Sequence, residues 1–210
     1  MLVVGRLCLR SPIPEIAAAA QYLDEAVSAH MTNQRELAEN LIDMANMPAI
    51  RAWTESLWGK ASPYVQYRTV LGAPPISRGP QLGRPRMPSP AEQGLLHIRD
   101  GYHCRFCGIP VIRAKIRDRL RKLYPTSLQW GRKNLTQHAA FQAMWAQYDH
   151  VLPYARGGEN NCDNLVITCA PCNFGRMNYL LEEVGLADPR NREPIRSTWD
   201  GLERLLQRPT

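Results

Sequence analysis

Cys104-Arg105-Phe106-Cys107 and Cys169-Ala170-Pro171-Cys172 bracket a segment that reads Asp149-His150-Val151-Leu152-Pro153, then Gly157-Gly158, then Asn164-Leu165-Val166. A Cys-x-x-Cys turn can place two thiolates on one ion, and two such turns complete the tetrahedral four-sulfur shell that a structural Zn²⁺ prefers. Cys104, Cys107, Cys169 and Cys172 are therefore the expected zinc ligands. The ion would close a loop holding a carboxylate, an imidazole and a side-chain amide. Two pairs of identical spacing around an independent polar motif argue against chance pairing or a redox dithiol.

After Cys172 comes Asn173-Phe174-Gly175-Arg176, so the polar order is His150, Asn164, Asn173. This pattern resembles the H-N-N variant of the HNH, or ββα-metal, endonuclease family. The stretch from Ile98 to Gly108 is similar to the lead-in found there. The resemblance covers residues from about 95 to 185 and leaves the first ninety unexplained. It implies an α+β fold, a ββα-metal nuclease domain with a zinc knuckle and a helical insertion. The segments read as a strand from Asp149 to Tyr154, a strand from Asn164 to Cys169 and a helix from Asn173 to about Val184. Neighbouring residues on a strand point to opposite faces, so Asp149 is expected at the strand's very start, where a bend lets it share a site with His150.

The family pattern implies a role for each polar residue. His150 is the general base, and a neutral imidazole near its ordinary pKa can accept a proton from water. Asp149 and Asn173 offer hard oxygen ligands to a catalytic Mg²⁺ or Mn²⁺. Met177, one helical turn after Asn173, cannot be a hard ligand where some relatives carry histidine. Asn164 is the residue that bridges loop backbone groups and holds the base, or else a turn residue at a strand entry. Gly157-Gly158 supplies the tight excursion between strands. Arg176 is either a phosphate clamp or a solvated surface arginine.

The formal net charge of +7 is unevenly placed: between Gly108 and Tyr148 lie eight basic residues against the single acid Asp118, and the rest holds 18 of each sign. A localised positive surface is what a polyphosphate partner needs. Arg113, Arg117 and Arg121 form a stripe at four-residue spacing on a helix whose other face is Ile112, Ile116, Leu120 and Leu123. Stacked like charges destabilise a helix unless neutralised, which favours a DNA phosphate contact over a solvated face. Asn134 with Gln137 has capping-box spacing for a second helix in this insertion, carrying Phe141, Met144 and Trp145.

Before the nuclease region, Ile16, Ala20, Leu23 and Val27, then Leu37, Leu41 and Met44, recur at helical steps. Asn33 with Glu36 reads as a cap for the second of these helices, Pro48 opens a third with Trp53 and Trp58, and Tyr64 to Val70 alternates like a short strand. Six prolines and three glycines between Gly72 and Pro90 mark a linker or strap, along which Arg78, Arg84 and Arg86 lie. Ser89-Pro90-Ala91-Glu92 starts a capped helix. Ser197-Thr198-Trp199 caps a last short helix ending near Gln207, with Trp199 packing back onto the domain.

The resulting division is a mainly helical region at 1–71, a linker at 72–89, the nuclease domain at 90–187 with its insertion at 110–148, and a tail at 188–210. No apolar run approaches the ~20 residues of a membrane span, and the N-terminus is interrupted by Arg6. A cytoplasmic protein is expected, with Cys8 and Cys162 as free thiols. DNA is the expected partner, and the N-terminal helices are the candidate surface for a protein partner. The favoured function is a metal-dependent DNA endonuclease leaving 3′-hydroxyl and 5′-phosphate ends. The alternative is a non-catalytic zinc-ribbon DNA-binding or adaptor protein that has kept the fold. Restriction or anti-phage defence, mobile-element cutting and phage packaging all use such a module, and the sequence does not choose among them.

Overall fold

A computed structural model describes residues 5–59, 61–77 and 87–207. Its helices are α1 (Pro14–Met31), α2 (Arg35–Ala45), α3 (Pro48–Ser56), α4 (Pro90–Asp100), α5 (Ala114–Leu123), α6 (Ala139–Ala143) and α7 (Ala170–Arg176). The strands β1 (Ala146–His150) and β2 (Leu165–Cys169) pair antiparallel, with Asp149 opposite Val166 and His150 opposite Leu165. The architecture is α+β, one small hairpin among helices.

The helices begin where backbone chemistry lets them. Proline, whose missing N–H costs nothing in a first turn, opens α1, α3, α4 and α7. Ser89 and Glu92 form a reciprocal capping box on α4, with Ser89 Oγ accepting from the Glu92 N–H at 3.3 Å and the Glu92 carboxylate accepting from the Ser89 N–H at 2.7 Å. Two other expected caps do not form. Asn33 takes a left-handed φ of 60° in the α1–α2 turn, and α2 starts after Gln34 with no side-chain cap. Asn134 opens only a 3₁₀ turn (Asn134–Thr136), because Gln137 is extended and bridges Trp130, leaving α6 at five residues.

The N-terminal helices are not a free lobe. One hydrophobic core runs from Leu9 through α1, α2 and α3, across the knuckle and hairpin, to Leu205. The α6 segment joins the N-terminal helices to the rest, since His138 shares a hydrogen bond with the Ile42 carbonyl at 2.9 Å and the Ala139 N–H donates to Asn46 Oδ1 at 2.8 Å. Tyr64 to Val70 is not a strand. It lies against the body through the Arg68 N–H on the Glu183 carbonyl at 2.8 Å, with no ladder partner.

Of the strap, Pro74 and Ser77 are tied to the residue 153–157 turn. The Pro74 carbonyl accepts from Arg156 Nη1 at 2.7 Å, and the Ser77 N–H donates to the Ala155 carbonyl at 2.7 Å. Arg78, Arg84 and Arg86 lie outside the described residues. The expected C-terminal helix is a 3₁₀ turn (Glu203–Leu206). The Asp200 carboxylate, accepting from the Leu202 and Arg204 N–H groups, sets its start. The Trp199 indole donates to the Val111 carbonyl at 3.2 Å.

Candidate metal centre and active site

Cys104 and Cys107 sit in a knuckle after α4, closed by the Cys104 N–H on the Ile109 carbonyl and by Gly108 at φ +81°. Cys169 ends β2 and serves as N-cap of α7, and Cys172 lies in that helix's first turn. The hairpin therefore delivers one pair to the other. All four sulfurs lie within 4.8 Å of one another, which suits a Zn²⁺ whose ~2.3 Å bonds set tetrahedral sulfur edges of roughly 3.8 Å. Cys8 and Cys162 stay outside this cluster as free thiols.

The knuckle is docked by a residue for which the sequence suggested no task. Asp100, at the end of α4, accepts from the Ile167 N–H of β2 at 3.0 Å and takes a two-bonded arginine, Arg99, at 2.7 Å on each oxygen. The Arg105 N–H then donates to the Ile167 carbonyl at 2.8 Å. The signal for Asp100 was its place in the lead-in, but its partner on β2 is 67 residues away.

β1 ends where the expected strand was to begin. Val151 makes one more ladder bond to the Asn164 carbonyl at 2.8 Å, but the next N–H, of Leu152, donates to the Asn164 side chain instead, at 2.8 Å. Pro153 has no N–H to give. The chain therefore leaves the sheet, and Asp149 and His150 are the last two strand residues, not the first. Asn164 is a three-point brace: besides accepting from Leu152, its Nδ2 donates to the Leu152 carbonyl at 3.0 Å and the Glu159 carbonyl at 2.9 Å. Gly158 is required beneath it, since a Cβ there would lie 1.8 Å from the Leu152 oxygen. The loop is further pinned by Arg156, whose Nη2 reaches both Glu183 oxygens at 2.9 and 2.8 Å in a buried ion pair.

Helix α7 is shorter than the sequence suggested because Met177 adopts a φ of 51° and stops it. This places Arg176 inward. It is 0% exposed, neither a solvated arginine nor a phosphate clamp. Its Nε donates to Asp149 Oδ2 at 2.9 Å, its Nη2 to Asp149 Oδ1 and to the His150 carbonyl, both at 2.5 Å, and its Nη1 to the Tyr179 carbonyl at 2.7 Å. Asp149 is itself only 6% exposed. Burial pushes its carboxyl above the usual carboxylate range, against the pull of the Arg176 charge.

Alternation turns Gln147 with Asp149 to one face of β1 and His150 with Tyr148 to the other. Asn173 sits half-buried on the Asp149 side, its Nδ2 pointing at Gln147 Oε1 across a long 3.5 Å. His150 is buried, its ring 5.6 Å from that of Tyr154. The intended hard-ligand pair of Asp149 and Asn173 is thus not presented as such. Asp149 is committed to a guanidinium, and this arrangement does not fit a divalent ion held by both residues.

The basic stripe is also taken apart. Arg113 precedes α5 as its N-cap residue and pairs with Glu203, whose other oxygen takes Lys115 at 3.0 Å. Arg117 is 8% exposed, stacked 4.0 Å over Trp130 and 5.1 Å from the centre of Trp145. Both are thus already engaged within the chain. Arg121 alone of the three is exposed, near the similarly exposed Arg119 and Lys122.

The family model described as HNH endonuclease matches residues 137–176, the stretch from α6 through both strands to the end of α7. The chain carries an HNH endonuclease domain. The match takes in His150, Asn164, Asn173, Cys169 and Cys172, while Cys104, Cys107 and Asp100 join the HNH domain from outside it. No curated protein and no solved structure matches the chain. Among the described residues, no helix is long and apolar enough to cross a membrane.

Proposed function

We propose that this HNH domain hydrolyses DNA phosphodiester bonds, with His150 as the general base, leaving 3′-hydroxyl and 5′-phosphate ends. The observation that carries the reading is the bracing of His150. Its carbonyl is held by Arg176, and the loop that follows it is closed by three side-chain bonds of Asn164. A main chain held this firmly fixes the point from which the imidazole extends, so the backbone needs little reorganisation when a water is presented to it. Mg²⁺ or Mn²⁺ is the ion the reading calls for, because a hard divalent cation stabilises charge on phosphoryl oxygens. A Zn²⁺ in the four-cysteine centre would be structural, since four thiolates leave it no open position. Phosphate contacts are assigned to exposed cations of the insertion, Arg121 with Arg119, Lys122, Arg132 and Lys133. Restriction or anti-phage defence in the cytoplasm is the setting we favour, and the N-terminal helices the surface for a protein partner.

The burial of the Asp149–Arg176 pair favours a second reading, a non-catalytic zinc-ribbon DNA-binding or adaptor protein. Incubating purified protein with plasmid DNA and Mg²⁺ or Mn²⁺ separates the two. Nicking or linearisation is expected, and His150→Ala should slow it at least ~10²-fold with melting temperature and zinc content unchanged. Plasmid left intact across both metals, or cut equally fast by a folded His150→Ala protein, removes His150 from any chemistry.

A further inference from the structure

Four aromatic rings form a continuous row along the HNH domain. Trp58, just past α3, lies 5.9 Å from Phe174 between ring centres, Phe174 lies 6.1 Å from Trp145, and Trp145 lies 5.8 Å from Trp130. The three tryptophans are half-buried, while Phe174 is 41% exposed. One exposed phenylalanine by itself would call for no explanation. This one stands in α7 directly after Asn173, tilted 60° to Trp58 and 78° to Trp145, so neither indole stacks flat on its face. The two indoles still hold the ring in place, which leaves little side-chain freedom to lose when a flat partner stacks on it.

The Trp130 end of the row is cationic. Arg117 lies 4.0 Å over Trp130 and 5.1 Å from Trp145, and Asp118, the acid beside it, accepts from it at 2.9 Å. Arg121 stands one turn further along α5, and Arg132 and Lys133 follow Trp130 closely in the chain, all three exposed. Aromatic surface that leads into exposed cations suits a strand whose bases are free to stack and whose phosphates need countercharge. An intact duplex offers phosphates to the cations but has its base faces already covered. Trp145 continues the alternation of Gln147 and Asp149, so the row lies on the face of β1 away from His150. It would hold DNA beside the reacting phosphate and take no part in the chemistry.

We propose that Phe174 is a stacking platform for an unpaired base, and that the row from Trp58 to Trp130 selects DNA with a single-stranded stretch over intact duplex. The inference deepens the nuclease reading by naming its substrate class, yet binding alone measures it. The test uses the full-length, zinc-loaded protein without added Mg²⁺, and the fluorescence anisotropy of labelled oligothymidylate and of a labelled duplex of equal length. The single strand should bind at least ~5-fold more tightly than the duplex at the same salt concentration. Phe174→Leu keeps apolar bulk and removes the flat face, so it should lose about 5-fold or more of the single-strand affinity and leave duplex affinity unchanged. Phe174→Tyr keeps the ring and should bind as the unaltered protein does.

A single strand held no more tightly than the duplex overturns the proposal, as does a Phe174→Leu protein with intact zinc and unchanged single-strand affinity. Should Phe174→Leu lose its zinc, Phe174→Met, flexible enough to fill the same gap, carries the same expectation and the same refutation. The two readings fail separately. A protein that prefers the single strand through Phe174 yet cuts no DNA keeps the inference and removes the nuclease reading, and cleavage without that preference does the reverse.

Discussion

The hairpin with its knuckle and the basic insertion between them are built by different kinds of partnership. In the hairpin, Asn164 closes on Leu152, Glu159 and Asn161, and the strands it joins carry Cys169 and Cys172 straight to the knuckle. In the insertion, Arg113 is answered by Glu203 of the tail and His138 by Ile42 of α2, 90 and 96 residues away. Local partnerships fix residue spacing, and so do the two Cys-x-x-Cys turns although they meet from 62 residues apart, so spacing reveals both. Distant partnerships leave a charge or a cap looking unfulfilled in the sequence, and the residue looks free to serve a ligand when it is already engaged.

The largest way to break this contrast is to remove a zinc ligand. Cys104→Ser should abolish zinc binding and unfold the knuckle and hairpin, because metal binding of this kind is coupled to folding with energies on the order of 10 kcal/mol. Elemental analysis and a circular dichroism melt check it. A zinc-free Cys104→Ser protein that melts like the unaltered chain would show that the surrounding core holds the hairpin without the ion. That outcome would place the hairpin in the same class as the insertion.

The fold was legible where hydrogen bonds and ligands repeat at short intervals. The α4 capping box, the helical N-terminal region, the hairpin and the cysteine cluster all follow from spacing. The strand boundary is hidden in the sequence because a side chain, Asn164 Oδ1, replaces a backbone acceptor for Leu152, which no alternation pattern can reveal. The burial of Arg176 is hidden too, because it depends on one backbone angle, at Met177, where the helix ends. The stripe is hidden for a related reason: stacked arginines demand neutralisation, and their spacing does not say what supplies it. Glu203 and the faces of Trp130 and Trp145 supply it, not a phosphate.

A pH titration tests the distant partnerships next. Burial lowers the pKa of His138 from 6.5 to about 4, opposed by its bond to the Ile42 carbonyl. The folded protein therefore keeps this ring neutral while the unfolded chain protonates it near 6.5, so the stability is fully present above that pH. It is lost as pH falls toward 4, by up to about 3 kcal/mol. His97, also lowered to about 4 by burial and then by Arg113, acts in the same direction. His138→Gln, which keeps a donor for Ile42, should flatten denaturant stability between pH 6.5 and 4. An unchanged slope would mean that His97 or the thiolates account for the acid sensitivity.

The smallest effect separates two arginines that the sequence had made equivalent. Arg121 is exposed, and a phosphate contact there releases counterions, so Arg121→Gln should reduce the slope of log affinity against log salt by about one unit. Stability should stay within about 0.5 kcal/mol, as for most surface changes. Arg113→Gln should do the reverse. Its partner Glu203 is left with Lys115 alone, a loss of about 1 kcal/mol or less for a pair this near the surface, while the salt slope holds. If both variants shift the slope equally, the Arg113–Glu203 pair opens on DNA and the stripe assembles only in the complex. If neither does, the duplex is held by other cations, with the strap arginines Arg78, Arg84 and Arg86 the next to replace.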